Sequence, residues 1–230
     1  MIDFAEFEKI IKVEFKNKDI LKQAFTHRSY LNENRKGNTG HNERLEFLGD
    51  AVLELAVTRF LYNKYPEKPE GDLTAIRAAL VNTNTISDAA KKLKTNDFLL
   101  LSKGEAKDTG RARQYILANA FEAIIGAIYL DKGFEVAEKF IEKNIFYLTD
   151  EIVAQNLWQD SKSYFQEKVQ EENGSTPAYK TLKEEGPDHD KHFIVGVFIA
   201  DKLISEGKGK SKQEAEQQAA KKALEIKGWG

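Results

Sequence analysis

The segment Ile116-Leu117-Ala118-Asn119-Ala120-Phe121-Glu122-Ala123-Ile124-Ile125-Gly126-Ala127-Ile128-Tyr129-Leu130 restricts the fold of this chain more than any other stretch. As a helix it is apolar on all sides apart from Asn119, Glu122 and the hydroxyl of Tyr129, and a helix of that kind is buried. A lone carboxylate inside it is costly unless it is protonated, meets a basic partner or binds a cation. Arg44, Arg77 and Arg113 are the basic partners on offer, so a buried ion pair stays open as the plain account of Glu122.

A second stretch, His41 to Leu55, sets Glu43, Glu46 and Asp50 at helical spacing beside an apolar stripe. At about 100° per residue, Glu43 and Asp50 lie within about 20° of each other and Glu46 about 60° to one side, while Leu45, Leu48, Val52 and Leu55 gather on the other face. An amphipathic helix with a solvated acidic edge is the plain alternative. Asn119 and Glu122, three residues apart, share a face. If that face meets the acidic edge, the fold assembles Glu46, Asp50, Asn119 and Glu122 into one oxygen-rich pocket. Hard oxygen donors, with no cysteine and no clustered histidine, suit Mg²⁺ (Mn²⁺ as a substitute) better than zinc.

With 230 residues, 41% of them hydrophobic, the chain can supply two cores. The absence of cysteine excludes disulfides, thiolate metal sites and cysteine nucleophiles, and agrees with a reducing compartment. Met1 to Glu8 reaches acids at once and contains no long apolar run, so neither a signal peptide nor a membrane span is expected and the default address is the cytoplasm. No membrane and no organic cofactor are expected as partners. His27, His41, His189 and His192 form no pair at ligand spacing, which argues against a histidine acid/base mechanism. The net charge of −2, taken alone, argues against a nucleic-acid partner. The distribution of charge points the other way.

Residues 1–150 read as successive helices with polar breaks, Asn42 standing as N-cap of the acidic helix, and 151–159 as a linker. From 160 to 228 the pattern becomes helix, three strands, helix, with strands expected at 178–183, 193–199 and 202–206. Lys208, Lys210 and Lys212 then lead into a helix N-terminus with Ser211 as N-cap, where amides, helix dipole and ammonium groups would converge on a phosphate. A basic run on a solvated face is the plain alternative.

The string NERLEFLGDAVLEL, with AFTHRSY at 24–30, EGDLTAIRAALVNT at 70–83, LSKGE at 101–105 and EAIIGAIYLD at 122–131, closely resembles the signature of ribonuclease III. The segment from 160 onward resembles a double-stranded-RNA-binding domain. The resemblance implies an all-α endonuclease domain followed by a small α+β (α-β-β-β-α) RNA-binding domain. It implies a homodimer that cleaves double-stranded RNA, such as ribosomal precursors, with one metal-dependent centre per subunit and 5′-phosphate and 3′-hydroxyl products. Carried over by residue, Glu46, Asp50 and Glu122 fall on metal-binding carboxylates, Asp50 and Glu122 being catalytic. Glu43 and Glu70 fall on acidic positions lining the cleavage valley. Phe47 falls on an aromatic knob that enters a socket on the partner subunit, an ordinary core aromatic being the alternative. Gln166 and His189 match positions placed in successive minor grooves of the duplex, where 2′-hydroxyls distinguish RNA. A solvated helix face and a surface turn are their respective alternatives.

Three positions depart from the pattern. Asn119 stands where Asp is usual, which removes a negative charge from the donor set. An active nuclease and an impaired one that binds duplex RNA without cutting it both remain open on that count. Gln213 and Glu216 stand where Lys often occurs, so fewer phosphate contacts are expected.

Overall fold

The computed structural model describes residues 2–34, 40–156, 158–187 and 191–229, the side chain of Asn173 apart. It divides into two compact units, Met1–Trp158 and Gln159–Gly230. The first is helical: α1 (Phe4–Ile11), α2 (Lys18–Ala24), α3 (Arg28–Glu33), α4 (Glu43–Lys64), α5 (Glu70–Leu80), α6 (Thr83–Lys92), α7 (Arg111–Lys132), α8 (Phe134–Asn144) and α9 (Thr149–Ala154).

Helix α7 is the segment that had to be surrounded, and it is: α4, α6, α8 and α2 pack around it. Phe121, Ile124, Ile125 and Ile128 are fully buried there. Its closest neighbour is α4, and the reason is a pair of glycines. A Cβ at Gly49 would stand 1.7 Å from the carbonyl oxygen of Glu122, and one at Gly126 would stand 2.2 Å from that of Leu45. Backbone therefore meets backbone where the helices cross, which no residue with a side chain permits. At the other end of the core, Phe7 packs edge-on to Phe25 and Phe98, with ring centroids 4.7 and 5.1 Å away.

Three expectations for this unit need correction. Asn42 precedes α4 but makes no side-chain capping bond. It is buried with helical φ/ψ, and its backbone N–H donates to the Thr26 carbonyl at 2.9 Å. Leu55 does not join the core. The buried stripe of α4 runs through Leu45, Gly49, Val52, Leu53, Ala56, Val57 and Leu61, leaving Leu48 half-buried and Leu55 57% exposed. Finally, 151–159 is not a free tether. Ile152 is buried, Val153 and Trp158 pack on the core, and the ammonium of Lys68 lies 5.2 Å from the Trp158 ring centre.

The second unit follows the expected order: α10 (Ser161–Asn173), β1 (Ala178–Glu185), β2 (His192–Ile199), β3 (Lys202–Gly209) and α11 (Lys212–Lys227), the strands forming an antiparallel sheet in the order β1-β2-β3. Both helices start on side-chain caps. Asp160 accepts from the Ser163 amide at 2.8 Å, and Ser211 accepts from the Glu214 amide at 3.1 Å while Glu214 accepts from the Lys210 amide at 2.7 Å. Phe165, Val169, Val197, Ala219, Ala220, Ala223 and Leu224 form the core between helices and sheet. Small residues let α11 lie directly on β3: a Cβ at Gly207 would stand 2.1 Å from the Ala215 carbonyl oxygen, and one at Gly209 2.6 Å from the Ala215 amide. Among the described residues, no helix is long and apolar enough to cross a membrane.

Candidate active site

Helix α4 carries three faces rather than two. One is the core stripe. A second holds Glu43, Glu46 and Asp50, and the third leaves Phe47, Leu55 and Tyr62 standing in solvent at 81, 57 and 71% exposure. Because the glycine crossing clamps Gly49 onto Glu122, the acidic face of α4 lies beside Asn119 and Glu122 of α7. The expected meeting of the two acidic segments is therefore observed.

The electrostatics of this meeting are unfavourable for a chain without a cation. The carboxyl of Glu122 is pushed up to about 8, first by burial, then by the charges of Asp50 and Glu46. Glu46 is also raised, by burial first and then by Glu43 and Asp50, against a hydrogen bond from Asn119 that favours its charged form. Of the basic groups that might have neutralised Glu122, Arg77 is committed to Glu54 at 2.8 Å and to the Thr58 hydroxyl at 2.9 Å. Arg113 donates to the carbonyls of Glu105 and Asp108 at 2.6 and 3.0 Å, and Arg44 is exposed. Among the described residues no ion pair reaches Glu122, so the buried-pair account of it is not what the fold builds. Nor, among those residues, are three or more Asp, Glu or His side chains closed into a ready coordination shell. What the fold provides is a half-buried set of oxygens whose like charges raise one another's affinity for a proton or a cation. That chemistry fits a hard divalent ion.

The other expected positions divide. Glu43 is at the site, bracketed by Arg28 at 3.5 Å and His41 at 3.7 Å, and it acts on Glu46. Glu70 is not: it opens α5 and lines a cavity of about 490 Å³ with Thr58, Leu61, Tyr62, Lys68 and Arg77. Thr58 already lies about 12 Å of helix beyond Asp50. Phe47 is no core aromatic of this chain.

In the second unit Gln166 is exposed on α10, and His189 lies outside the described residues. Ser211 caps α11 as expected. The convergence of Lys208, Lys210 and Lys212 is not formed in full. Gly207 and Gly209 face α11, so Lys208, between them on a strand, projects from the opposite side of the sheet. Lys208 pairs with Glu185 at 3.3 Å, whereas Lys212 pairs with Glu184 at 3.3 Å and lies 5.6 Å from the Phe193 ring centre. Lys210 is exposed at the start of α11. Glu216, at an expected lysine position, is held by Lys162 at 2.5 Å. The residues sequence reasoning passed over are thus Gly49, Gly126, Glu184 and Glu185. For the glycines the signal was present, a lone Gly within each of two long helical patterns.

Fold and site together define a two-part protein, a helical unit with a half-buried acidic centre joined to an α-β-β-β-α module. Residues 17–148 match the family model "Ribonuclease-III-like", and residues 161–227 match "Double-stranded RNA binding motif". Ribonuclease 3 of Carboxydothermus hydrogenoformans is 48% identical over 227 residues, covering 97% of this chain and 95% of that protein. Ribonuclease 3 of Staphylococcus epidermidis is 44% identical over 224 residues, covering 97 and 91%. The solved nuclease domain of ribonuclease III from Campylobacter jejuni, described for a flexible region involved in its dimer formation, is 43% identical with a TM-score of 0.56. It spans 62% of this chain, and 98% of that domain is covered. The chain belongs to the ribonuclease III family, the endoribonucleases of double-stranded RNA whose cleavage depends on a metal.

Proposed function

We propose that the chain hydrolyses phosphodiester bonds of double-stranded RNA at the centre formed by Glu46, Asp50, Asn119 and Glu122, working as a homodimer on structured RNA such as ribosomal precursors in the cytoplasm. The observation that supports the site assignment is the raised Glu122 carboxyl, half-buried beside Asp50 and Glu46 with no ion pair to a basic group among the described residues. Mg²⁺ suits this all-oxygen donor set best, with Mn²⁺ as substitute. When bound there by Glu46, Asp50 and Glu122, with the Asn119 amide oxygen as neutral donor, it would activate a water and relieve charge on the phosphoryl oxygens.

The chain's own residues prepare that chemistry. The Gly49–Gly126 crossing fixes the spacing of the two acidic faces. Asn119 lies beside Glu46 and favours its charged form. Partial burial of Glu122 weakens solvent screening, so its ionised form would act strongly on a cation beside it. Glu43, between Arg28 and His41, lines the approach to the centre. Lys210, Lys212 and the capped start of α11 hold phosphates, Lys208 adds a separate contact from the opposite face of β3, and Gln166 lies on the exposed face of α10 for the minor groove.

Self-association is supported by the exposed face of α4. Phe47, Leu55 and Tyr62 recur at helical spacing along one side, a pattern a lone chain leaves wet. A two-fold pairing through that face would also give Glu70, which lines a cavity without Glu46, Asp50 or Glu122 of its own chain, a route to a valley shared between copies.

The test is cleavage of an end-labelled long duplex with Mg²⁺, with Mn²⁺ and with chelator. Short duplex products bearing 5′-phosphates in either metal, and none in chelator, are the expected result. Intact RNA in both metals, with cutting gained by Asn119→Asp, would mean that the chain binds duplex RNA without processing it.

A further inference from the structure

The lysines of the second unit proposed above as RNA contacts are held by acids of the same unit. At the end of β1, Glu184 lies 3.3 Å from Lys212 and 2.9 Å from Lys191. Its neighbour Glu185 lies 3.3 Å from Lys208 and 2.6 Å from Lys183. Adjacent residues of a strand point to opposite faces, so the two carboxylates serve the two sides of the sheet on which Lys212 and Lys208 are found. Each acid thus bridges two ammonium groups, as a phosphate oxygen would. The acids and the lysines are exposed or half-exposed, so the pairs are weak and exchangeable rather than structural. They also account for a module of nearly balanced charge that nevertheless carries a basic run.

We propose that Glu184 and Glu185 form an internal counter-anion for the RNA-binding lysines, which the phosphates of a duplex must displace. The proposal rests on the assignment of Lys208 and Lys212 as RNA contacts. Displacement lowers the affinity of the module for any single phosphate pair, so stable engagement requires several contacts at once. A long duplex spanning the module and the nuclease unit provides them, and a short or single-stranded RNA does not. The device therefore favours long duplexes over abundant short RNA. It also flattens the salt dependence, because salt weakens the internal pairs together with the RNA contacts.

The experiment measures binding of a fluorescent RNA duplex of roughly 20 base pairs, enough for one such module, to the full chain in chelator, across a salt series. Glu184→Gln/Glu185→Gln is compared with wild type, with Lys208→Gln/Lys212→Gln, and with the quadruple variant. Glu171→Gln/Glu172→Gln makes the same change of charge at the far end of α10, where the partners are Lys168 and Lys227. The expected result is binding about threefold to tenfold tighter for the Glu184/Glu185 variant at low salt, a steeper fall with salt, and no gain in the lysine-substituted background. An unchanged or weaker affinity overturns the proposal. So does a gain that persists without the lysines, or one matched by the Glu171/Glu172 variant. If the lysine variant binds as wild type does, the assignment of those lysines fails and the proposal falls with it. If the lysine variant loses binding while the glutamate variant is unchanged, the counter-anion alone is wrong. Single variants Glu184→Gln and Glu185→Gln, checked for native unfolding temperature, guard against a fold defect.

Discussion

Glu122 is the residue on which the proposed chemistry turns. Its folded carboxyl titrates near 8 against an ordinary value of 4.5, so between those values the folded state binds more protons than the unfolded state. Stability linked to this group is therefore present below about pH 4.5 and is lost as pH rises toward 8. In metal-free buffer, Glu122→Gln should be the more stable protein at pH 8.5, by up to a few kcal/mol, and the difference should shrink toward pH 5. Thermal unfolding of both proteins across that range reads it directly. Asn119 makes the complementary case. Asn119→Asp adds a charge to an already crowded set, so it should lower the metal-free unfolding temperature while reducing the Mg²⁺ concentration for half-maximal cleavage roughly tenfold. A titration of rate against Mg²⁺ for the two proteins checks this, and an unchanged midpoint would remove Asn119 from the donor set.

At the scale of elements, the crossing of α4 and α7 decides whether the site exists. Gly126→Ala would place a methyl group 2.2 Å from the Leu45 carbonyl oxygen, and backbone cannot step aside as a side chain can. We expect a loss of about 3 kcal/mol or more in urea unfolding, together with a fall in cleavage, since separating the helices separates Glu46 from Glu122. This crossing also marks the limit of what the sequence makes legible. The acids and the apolar character of α7 could be read from periodicity, and so could the order of helices and strands. The contact could not, because a glycine in a helix reads only as a missing side chain until its neighbour is known. Leu55 was sorted into the core for a related reason: an apolar residue facing solvent and one facing the interior look alike on a helical wheel. Lys208 was grouped with Lys210 and Lys212 by adjacency, whereas strand alternation between two packed glycines sends it to the other side of the sheet.

For the whole molecule, the sorting of residues into core and surface bears on assembly. Phe47 is 81% exposed, so Phe47→Ala should change the unfolding free energy of an isolated chain by no more than about 0.5 kcal/mol. In a dimer built on that face it should raise the dissociation constant at least tenfold, by loss of an aromatic at a contact. Sedimentation across a concentration series separates the two effects, and a variant that dimerises like wild type would move the interface away from α4. The same scale explains how a chain of net charge −2 handles RNA. Some of its acids gather between α4 and α7 and others pair with lysines, so the total says little about the local field that a phosphate would meet.

The most direct test of the carboxylate centre measures cleavage and binding of one long RNA duplex by wild type and Glu122→Gln in parallel, with Mg²⁺ for the first and chelator for the second. The variant should lose cleavage by about a thousandfold or more while its duplex affinity stays within about twofold of wild type. Cleavage at the wild-type rate by Glu122→Gln would show that the reaction does not run through the pocket between α4 and α7.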